Sequence, residues 1–241
     1  MNTRDTVRRL HESGFFVIPN AWDIGSAVRF EHLGFAAIGT TSSGFAASLG
    51  RHDQETSFAE LCAHVEAMVT AVDVAISVDG ERLFAEDPRD LRSNAAMIER
   101  LGAAGLSIED YDPGSNSIDP IDLAVERVAV VAEVTRAAGM VLTARAENHL
   151  YGIDDLDDTI ARLQRFVAAG ADVAYAPGLE SAQDIERVVT SSDAPVNVLL
   201  RPAGPPPPEL ATLGVRRAST GGRLAFAAYE AASALARALL Q

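Results

Sequence analysis

Cysteine is almost absent. Cys62 stands alone in 241 residues, so no internal disulfide can form, and the disulfide-stapled class of small secreted domains is excluded. Basic residues are in the minority, 20 Lys and Arg against 34 Asp and Glu, for a formal charge of −14. A chain of that balance lacks the positive face that phosphate backbones or anionic lipids need, which argues against nucleic-acid and membrane partners. A small anionic substrate stays compatible, because one arginine and a divalent cation can hold it locally. No apolar run nears the ~18–20 residues that span a bilayer. The opening MNTRDTVRRLHESG is charged but is followed by no signal-type apolar segment. The expectation is a soluble, cytoplasmic protein.

What is present is a large supply of core. Hydrophobic residues make up 48% of the chain, enough for one α/β domain over residues 1–241. Apolar runs of strand length fall at 15–19, 36–40, 74–79, 106–110, 140–145, 172–176, 195–199 and 215–219. Amphipathic stretches lie between them, among them 23–33, 56–71, 88–103, 121–138, 155–169, 181–190 and the Ala-rich 222–240. Eight such alternations in about 250 residues predict a (β/α)8 TIM barrel, with a doubly wound open sheet as the structural rival. Gly34, Gly105, Gly139, Gly170 and Gly214 each precede a strand, where helix C-caps belong. Asp87-Pro88 reads as an N-cap followed by proline at the first helical position. AGPPPPE at 203–209 is a stiff loop leading into a short helix.

Charge gathers where three of these strands end. VAISVD runs into Gly80 and Glu81, LSIED ends in Glu109 and Asp110, and MVLTAR is followed by Ala146 and Glu147. Parallel strands buried on both faces are nearly all apolar, and in a barrel their exits meet on one rim where catalysis resides. Asp79 and Glu81 lie two apart, so an extended backbone would turn them to one face. With Glu109 they form a set of hard oxygen ligands suited to Mg²⁺, which keeps several of its waters. Repetition at three strand ends favours that reading over solvated helix caps.

Other residues leave alternatives open. The planar fork of Arg145 suits a substrate carboxylate or phosphonate, and it equally suits a structural ion pair with Glu147 or Glu109. Asn197 is a polar group inside the apolar run PVNVL and needs a partner when buried. Thr40, Thr41, Ser42 and Ser43 close the second strand ahead of Gly44, a hydroxyl cluster whose free N–H groups would make an anion nest. Two polar loops, 47–56 with Asp53 and 111–120, are placed to act as lids. Cys62, His64 and His149 have no metal-ligand spacing.

Taken in order, PNAWDIGSAVRFEHLGFAAIGTTSSGFAASLGRHD, SVDGE, AAGLSIED, VLTARAE, AAGADVAYAPGLES, PVNVL and LGVRRASTGGRLAFAAYEAASALA resemble the isocitrate lyase / phosphoenolpyruvate mutase superfamily. The resemblance runs along nearly the whole chain and is nearest to the compact carboxyvinyl-carboxyphosphonate phosphorylmutase-like branch. It implies a (β/α)8 barrel that forms a homodimer or homotetramer with the last helix exchanged between subunits. It also implies Mg²⁺ and a small 2-oxo or 2-hydroxy acid whose C–C or P–C bond is made or broken. By the same resemblance Asp79, Glu81 and Glu109 bind the metal, mostly through water, and Arg145 takes the substrate anion. Thr41, Ser42 and Ser43 match the substrate-carboxylate segment, Asp53 an aspartate near the metal, and Trp22 and Asp23 an NxWD opening that shapes the pocket.

Two departures narrow the expectation. Lyases of the superfamily carry a K-K-C-G-H-type segment after the fourth strand, whose cysteine is the acid/base. Here YDPGSNSID offers no thiol, so cysteine-dependent isocitrate cleavage is set aside. The mutase and phosphonopyruvate hydrolase branches place Lys and Asn there, of which Asn116 alone remains. The run D-x-[DE]-x-G-[YF]-G becomes Asp79-Gly80-Glu81-Arg82-Leu83-Phe84-Ala85. Loss of both glycines adds Cβ atoms that restrict φ and fill space, and Arg82 is expected either to contact substrate or to occupy its pocket. The expected function is a Mg²⁺-dependent lyase working through an enolate, like an oxaloacetate decarboxylase. The alternatives are P–C bond mutase or hydrolase chemistry on phosphonopyruvate, where Thr41 or a water would be the nucleophile, and a non-catalytic anion-binding barrel.

Overall fold

The computed structural model describes residues 2–240. Its strands are β1 (Phe16–Ile18), β2 (Asn20–Ala21), β3 (Ala37–Thr40), β4 (Ala75–Asp79), β5 (Gly105–Glu109), β6 (Tyr111–Asp112), β7 (Ser117–Ile118), β8 (Val141–Arg145), β9 (Val173–Tyr175), β10 (Val196–Leu199) and β11 (Arg217–Ser219). All but the β6–β7 hairpin join one parallel sheet in the order β1-β11-β10-β9-β8-β5-β4-β3-β2. The two ends of that order are consecutive in the chain, separated only by Pro19. The sheet therefore closes on itself into a (β/α)8 barrel, and the open-sheet rival is excluded. Every one of the eight expected strand runs contributes to the ring.

Closure depends on a clamp at Pro19. Proline has no N–H to give to a ladder, so β1 leaves its pairing with β11 here and β2 takes up pairing with β3. Asn20 holds the switch: its Nδ2 donates to the Thr40 carbonyl at 2.6 Å, and its Oδ1 accepts from the N–H groups of Thr220 and Gly221 at 2.9 Å each. Only glycine fits opposite it at position 39, where a Cβ would lie 2.6 Å from Asn20 Nδ2.

Ten helices are described: α1 (Thr3–Glu12), α2 (Ile24–His32), α3 (Ser42–Ser48), α4 (Phe58–Ala71), α5 (Pro88–Arg100), α6 (Ile121–Ala138), α7 (Leu156–Ala168), α8 (Ala182–Ser191), α9 (Pro207–Thr212) and α10 (Arg223–Ala238). Their starts follow the local chemistry. Asp87 caps α5 by accepting from Arg89 N–H with Pro88 in the first turn, and Asp23 and Ser57 form capping boxes at α2 and α4. Helix α1, absent from the sequence expectation, plugs the bottom of the barrel. Arg4 ties it to the carbonyls of Glu99, Ala103 and Ala138, and Val7 packs into an apolar layer with Ile18, Ala37, Ala75, Ala104, Val141 and Val173. The barrel interior is thus sealed at that end and opens only at the C-terminal ends of the strands.

Three local expectations are corrected. Gly105 does not cap a helix: it starts β5, and Gly102, with φ +93°, takes the left-handed turn after α5. The hydroxyl run at 41–43, expected as an anion nest, opens a helix, α3, with Thr41 as its N-cap. The segment 111–120 is a hairpin tied by its own side chains, Asp112 accepting from Gly114 N–H and from Ser115 Oγ.

Candidate active site

A barrel strand turns alternate residues inward, and β8 displays the result. Val141 lies in the apolar bottom layer, Thr143 one level up, and Arg145 at the open end. Arg145 sits among carboxylates from neighbouring strand ends. Its Nη1 lies 2.6 Å from Asp79 Oδ1 and 3.2 Å from Glu109 Oε2, and its Nε is 2.6 Å from Glu147 Oε1. Nη2 makes no hydrogen bond among the described residues, which leaves one nitrogen of the fork for a ligand. The guanidinium lies over the Tyr175 ring, 5.5 Å from its centre. The ion-pair reading of Arg145 is the one its contacts show, and a fork free for bidentate capture is not what the chain builds.

The remaining acids complete a negative nest. Asp79 is held by Ser42 N–H at 3.0 Å on Oδ2, and its own N–H donates to Thr40 Oγ1 at 2.8 Å. Glu109 accepts from Gln54 Nε2 at 2.8 Å, so the 47–56 segment reaches over the rim. Burial pushes the Glu81 pKa up to about 8, helped by the charges of Asp79 and Asp53. Burial likewise raises Glu109 and Glu147, against the pull of Arg145. Asp53, at the edge of the nest beside Asp79 and Ser42, is raised first by desolvation and then by Asp79. Burial works against the charge of Arg145, but Glu147, Asp79 and Glu109 outweigh it and raise its pKa. Five carboxyls face one guanidinium, and Glu147 Oε2 is buried without a hydrogen-bond partner.

That imbalance is what a cation would correct. Among the described residues no three such side chains are placed to ligate an ion directly. The donor set instead suits a hydrated Mg²⁺ held at one remove, with carboxylates accepting from its waters. Asp79, Glu81 and Glu109 are the carboxylates that would accept from such waters, with Asp53 and Glu147 beside them.

Below the nest a polar cavity of about 70 Å³ runs down the barrel, lined among others by Asp79, Arg145, Tyr175, Asn197, Arg217 and Ser219. A water needs ~10–15 Å³ measured in this way, so there is room for a few waters or one small acid.

The sequence-predicted residues divide into three groups. Asp53, Asp79, Glu81, Glu109 and Arg145 converge on the nest, and Asn197 lines the cavity. Thr41, Ser42 and Ser43 stand behind Asp79. The anion nest expected of them is not formed, because Ser42 N–H is committed to Asp79 and Gly44 N–H to Thr41 Oγ1. Trp22 and Arg82 face elsewhere. Trp22 packs on Phe30 and Tyr229 and lines no part of the cavity. Arg82, expected at the substrate, is buried and bonded to both oxygens of Asp119 at 3.0 and 3.1 Å, with Glu86 on Nη1. Asn116 accepts from Tyr111 Oη at 2.6 Å within its own hairpin.

Glu147, Tyr175, Arg217 and the stacked pair Tyr111–Tyr151, 3.6 Å between ring centres, were not anticipated as site residues. For Glu147 the signal was its place two residues after Arg145 at a strand end. For Arg217 it was a charge inside the strand run at 215–219.

Comparison with known proteins bears directly on this geometry. The family described as phosphoenolpyruvate phosphomutase matches residues 7–240. The chain belongs to that family. Members of the phosphoenolpyruvate phosphomutase family are lyases and mutases. A crystal structure from Burkholderia cenocepacia, provisionally titled a lyase/mutase, is 40% identical, covers 99% of this chain and 88% of its own, and superposes with a TM-score of 0.95. The oxaloacetate decarboxylase of Paraburkholderia xenovorans is 32% identical over 216 residues, 83% of this chain and 69% of that enzyme. A phosphonopyruvate hydrolase solved with oxalate and Mg²⁺ shares the family fold at a TM-score of 0.89 and 21% identity, covering 98% of this chain and 87% of that one.

Proposed function

We propose that this member of the phosphoenolpyruvate phosphomutase family is a Mg²⁺-dependent lyase. It would cleave a C–C bond of a small 2-oxo or 2-hydroxy carboxylate through an enolate, with oxaloacetate decarboxylation the plainest case. The observation that carries the reading is the excess of carboxyls over cations at the open end of a polar cavity, with Glu147 Oε2 left without a partner. The 32% identical oxaloacetate decarboxylase supports the substrate class.

When bound, Mg²⁺ supplies a Lewis acid for the 2-oxo group. The protein's own residues do the rest. Asp79, Glu81 and Glu109 would hold the hydrated ion, and Glu147 fixes Arg145 through Nε, leaving Nη2 as the donor that would take the substrate anion. Such a preset donor costs no reorganisation when charge develops on the substrate. Gln54 reaches over the rim to Glu109, and the Tyr111–Tyr151 stack stands near Glu109 and Glu147. Decarboxylation needs no thiol, in keeping with the lack of a cysteine in the 111–119 segment. The chain contains no lysine at all, so the loop lysine of the P–C bond branches has no substitute elsewhere, and that chemistry is the weaker reading.

The test is pyruvate release from oxaloacetate and from phosphonopyruvate, each with Mg²⁺ and with EDTA. Metal-dependent release from oxaloacetate is expected, with loss of at least about 100-fold in Arg145→Ala, on the scale of removing a preset transition-state donor. Release from phosphonopyruvate alone, or its conversion to phosphoenolpyruvate, would overturn the C–C assignment, and no turnover of either would leave an anion-binding barrel.

A further inference from the structure

The charge of Arg145 is overmatched by its neighbours. The other arginine on the same cavity has none to match it. Arg217, on β11, is buried inside the barrel. Its Nε donates to Asn197 Oδ1 at 2.8 Å and its Nη2 to Thr143 Oγ1 at 3.0 Å, and Nη1 lies 3.5 Å from His11 Nε2. None of these partners is charged. His11 sits with Nδ1 2.8 Å from the Val7 carbonyl, which places its proton there and leaves Nε2 an acceptor. Burial pulls the His11 pKa down to about 3, with Arg217 adding to the effect, so the ring stays neutral. No carboxylate of the described residues lies within ion-pairing distance of Arg217.

A buried cation without a counter-charge is expensive unless something supplies the charge. Burial alone brings the pKa of Arg217 down to about 10, although arginine is ordinarily protonated far above that. The guanidinium has five N–H donors, and the three contacts above leave two of them, on Nη1 and Nη2, uncommitted. The cavity reaches it: Arg217, Asn197, Ser219 and Tyr175 line the same space as Arg145 and Asp79. Asn197 Nδ2 is held by Ser219 Oγ at 3.0 Å, so the amide that orients the guanidinium is itself fixed.

The vertical spacing can be read from β8. Thr143, which contacts Arg217, and Arg145 are both inward-facing and two residues apart, a rise of about 6.6 Å along the strand. A four-carbon dicarboxylate has three carbon–carbon bonds of about 1.5 Å each between its carboxylate carbons, with oxygens beyond. It spans that gap.

We propose that Arg217 forms a second anion subsite at the floor of the cavity and takes the distal carboxylate of a four-carbon dicarboxylate whose 2-oxo or 2-hydroxy end lies at the Arg145 nest. The inference rests on the lyase reading above and sharpens it. Arg217 would seat the carboxylate that is lost when the C3–C4 bond of oxaloacetate breaks, the electron pair passing to the 2-oxo end at the nest and CO₂ leaving through the open end of the barrel. Selectivity for diacids over monoacids would come from the floor, through a charge-assisted hydrogen bond in a buried setting. The three neutral partners hold the guanidinium at the cavity wall and leave two of its N–H groups uncommitted.

Two stable acids separate the contributions: malate, and 2-hydroxybutyrate, which replaces the distal carboxylate with a methyl group. Binding is measured by titration calorimetry with Mg²⁺ present. The wild type is expected to prefer malate by about 10- to 100-fold, the size of a hydrogen bond to a charged group. Arg217→Gln is expected to erase that preference while 2-hydroxybutyrate binds as before. Should the Gln variant not fold, Arg217→Lys keeps the charge, loses the fork, and is expected to reduce the preference severalfold. A preference that survives both substitutions, or a wild type that binds the two acids equally, overturns the inference. If oxaloacetate is still turned over in that case, the lyase reading stands and the floor subsite alone fails. If neither acid binds and nothing is turned over, both fail.

Discussion

Glu81 carries its carboxyl where a negative charge is disfavoured: it is buried, near Asp79 and Asp53, and its pKa stands at about 8 against an ordinary 4.5. Without a cation the folded chain keeps this proton between about pH 4.5 and pH 8, while the unfolded chain releases it. The folded state binds more protons in that window, so stability falls as pH rises through it and levels off above. In EDTA the midpoint of urea unfolding is expected to drop from pH 5 to pH 9, at most by about 1.4 kcal/mol per pH unit from this group. Glu81→Gln removes its share of the slope. Saturating Mg²⁺ is expected to flatten the wild-type curve, since an added positive charge favours the ionised carboxylates. A slope in EDTA that Glu81→Gln leaves unchanged would show that this group stays ionised in the folded chain.

The turn that carries Glu81 is the element where local rule and fold disagree most. Glu81, Leu83 and Phe84 have φ of +48°, +58° and +53°, the left-handed region in which a side chain costs ~1–2 kcal/mol. The family pattern has glycine at the position of Leu83. Here the glycine-like backbone is retained by a leucine whose side chain is wholly buried, a gain of about 1.5–3 kcal/mol that offsets the strain. Asn94 Nδ2 and Arg127 Nη2 hold the Leu83 and Arg82 carbonyls at 2.9 and 2.6 Å. The consequence is an inverted ranking. Leu83→Ala keeps the strained φ and loses packing, at about 2–5 kcal/mol. Leu83→Gly loses the same packing but relieves the strain, and is expected to be the more stable variant by about 1 kcal/mol. Urea midpoints of the two variants check this, and the opposite order would mean that the turn is unstrained.

The same turn marks what the sequence could disclose. Strand placement was legible because a strand buried on both faces must be apolar, and the three acidic exits stood out against that background. The conformation of residues 81–84 was not, because burial of Leu83 depends on neighbours far along the chain. Arg82 was misassigned for the same reason: its partner Asp119 lies 37 positions away. Helix α1 was hidden by its charges: Arg4 turns to the carbonyls of the barrel floor, while Asp5, Arg8, Arg9 and Glu12 are exposed.

At the scale of the molecule, one element lacks a reason to be where it is. Within α10 only Ala225 is buried, while Phe226, Tyr229, Leu235, Leu239 and Leu240, on and just beyond the helix, are exposed. A 16-residue helix is marginal on its own in water, and helices in proteins are held mostly by packing an apolar face. Its first turns rest on the barrel, with Tyr229 against Trp22. Its second half has no such support among the described residues. The expected remedy is a second copy of the chain, in which each α10 packs on its partner and a two-fold axis lets one apolar patch serve both subunits. Trp22 then acquires a role as a buttress between the helix and the barrel, rather than as a wall of the substrate cavity. Light scattering is expected to give an even multiple of 25.5 kDa. Leu235→Glu combined with Leu239→Glu places two charges on that face in each chain and is expected to yield monomers that retain the barrel's circular dichroism. A wild-type protein that scatters as a monomer at micromolar concentration would mean that α10 is stable on its own contacts.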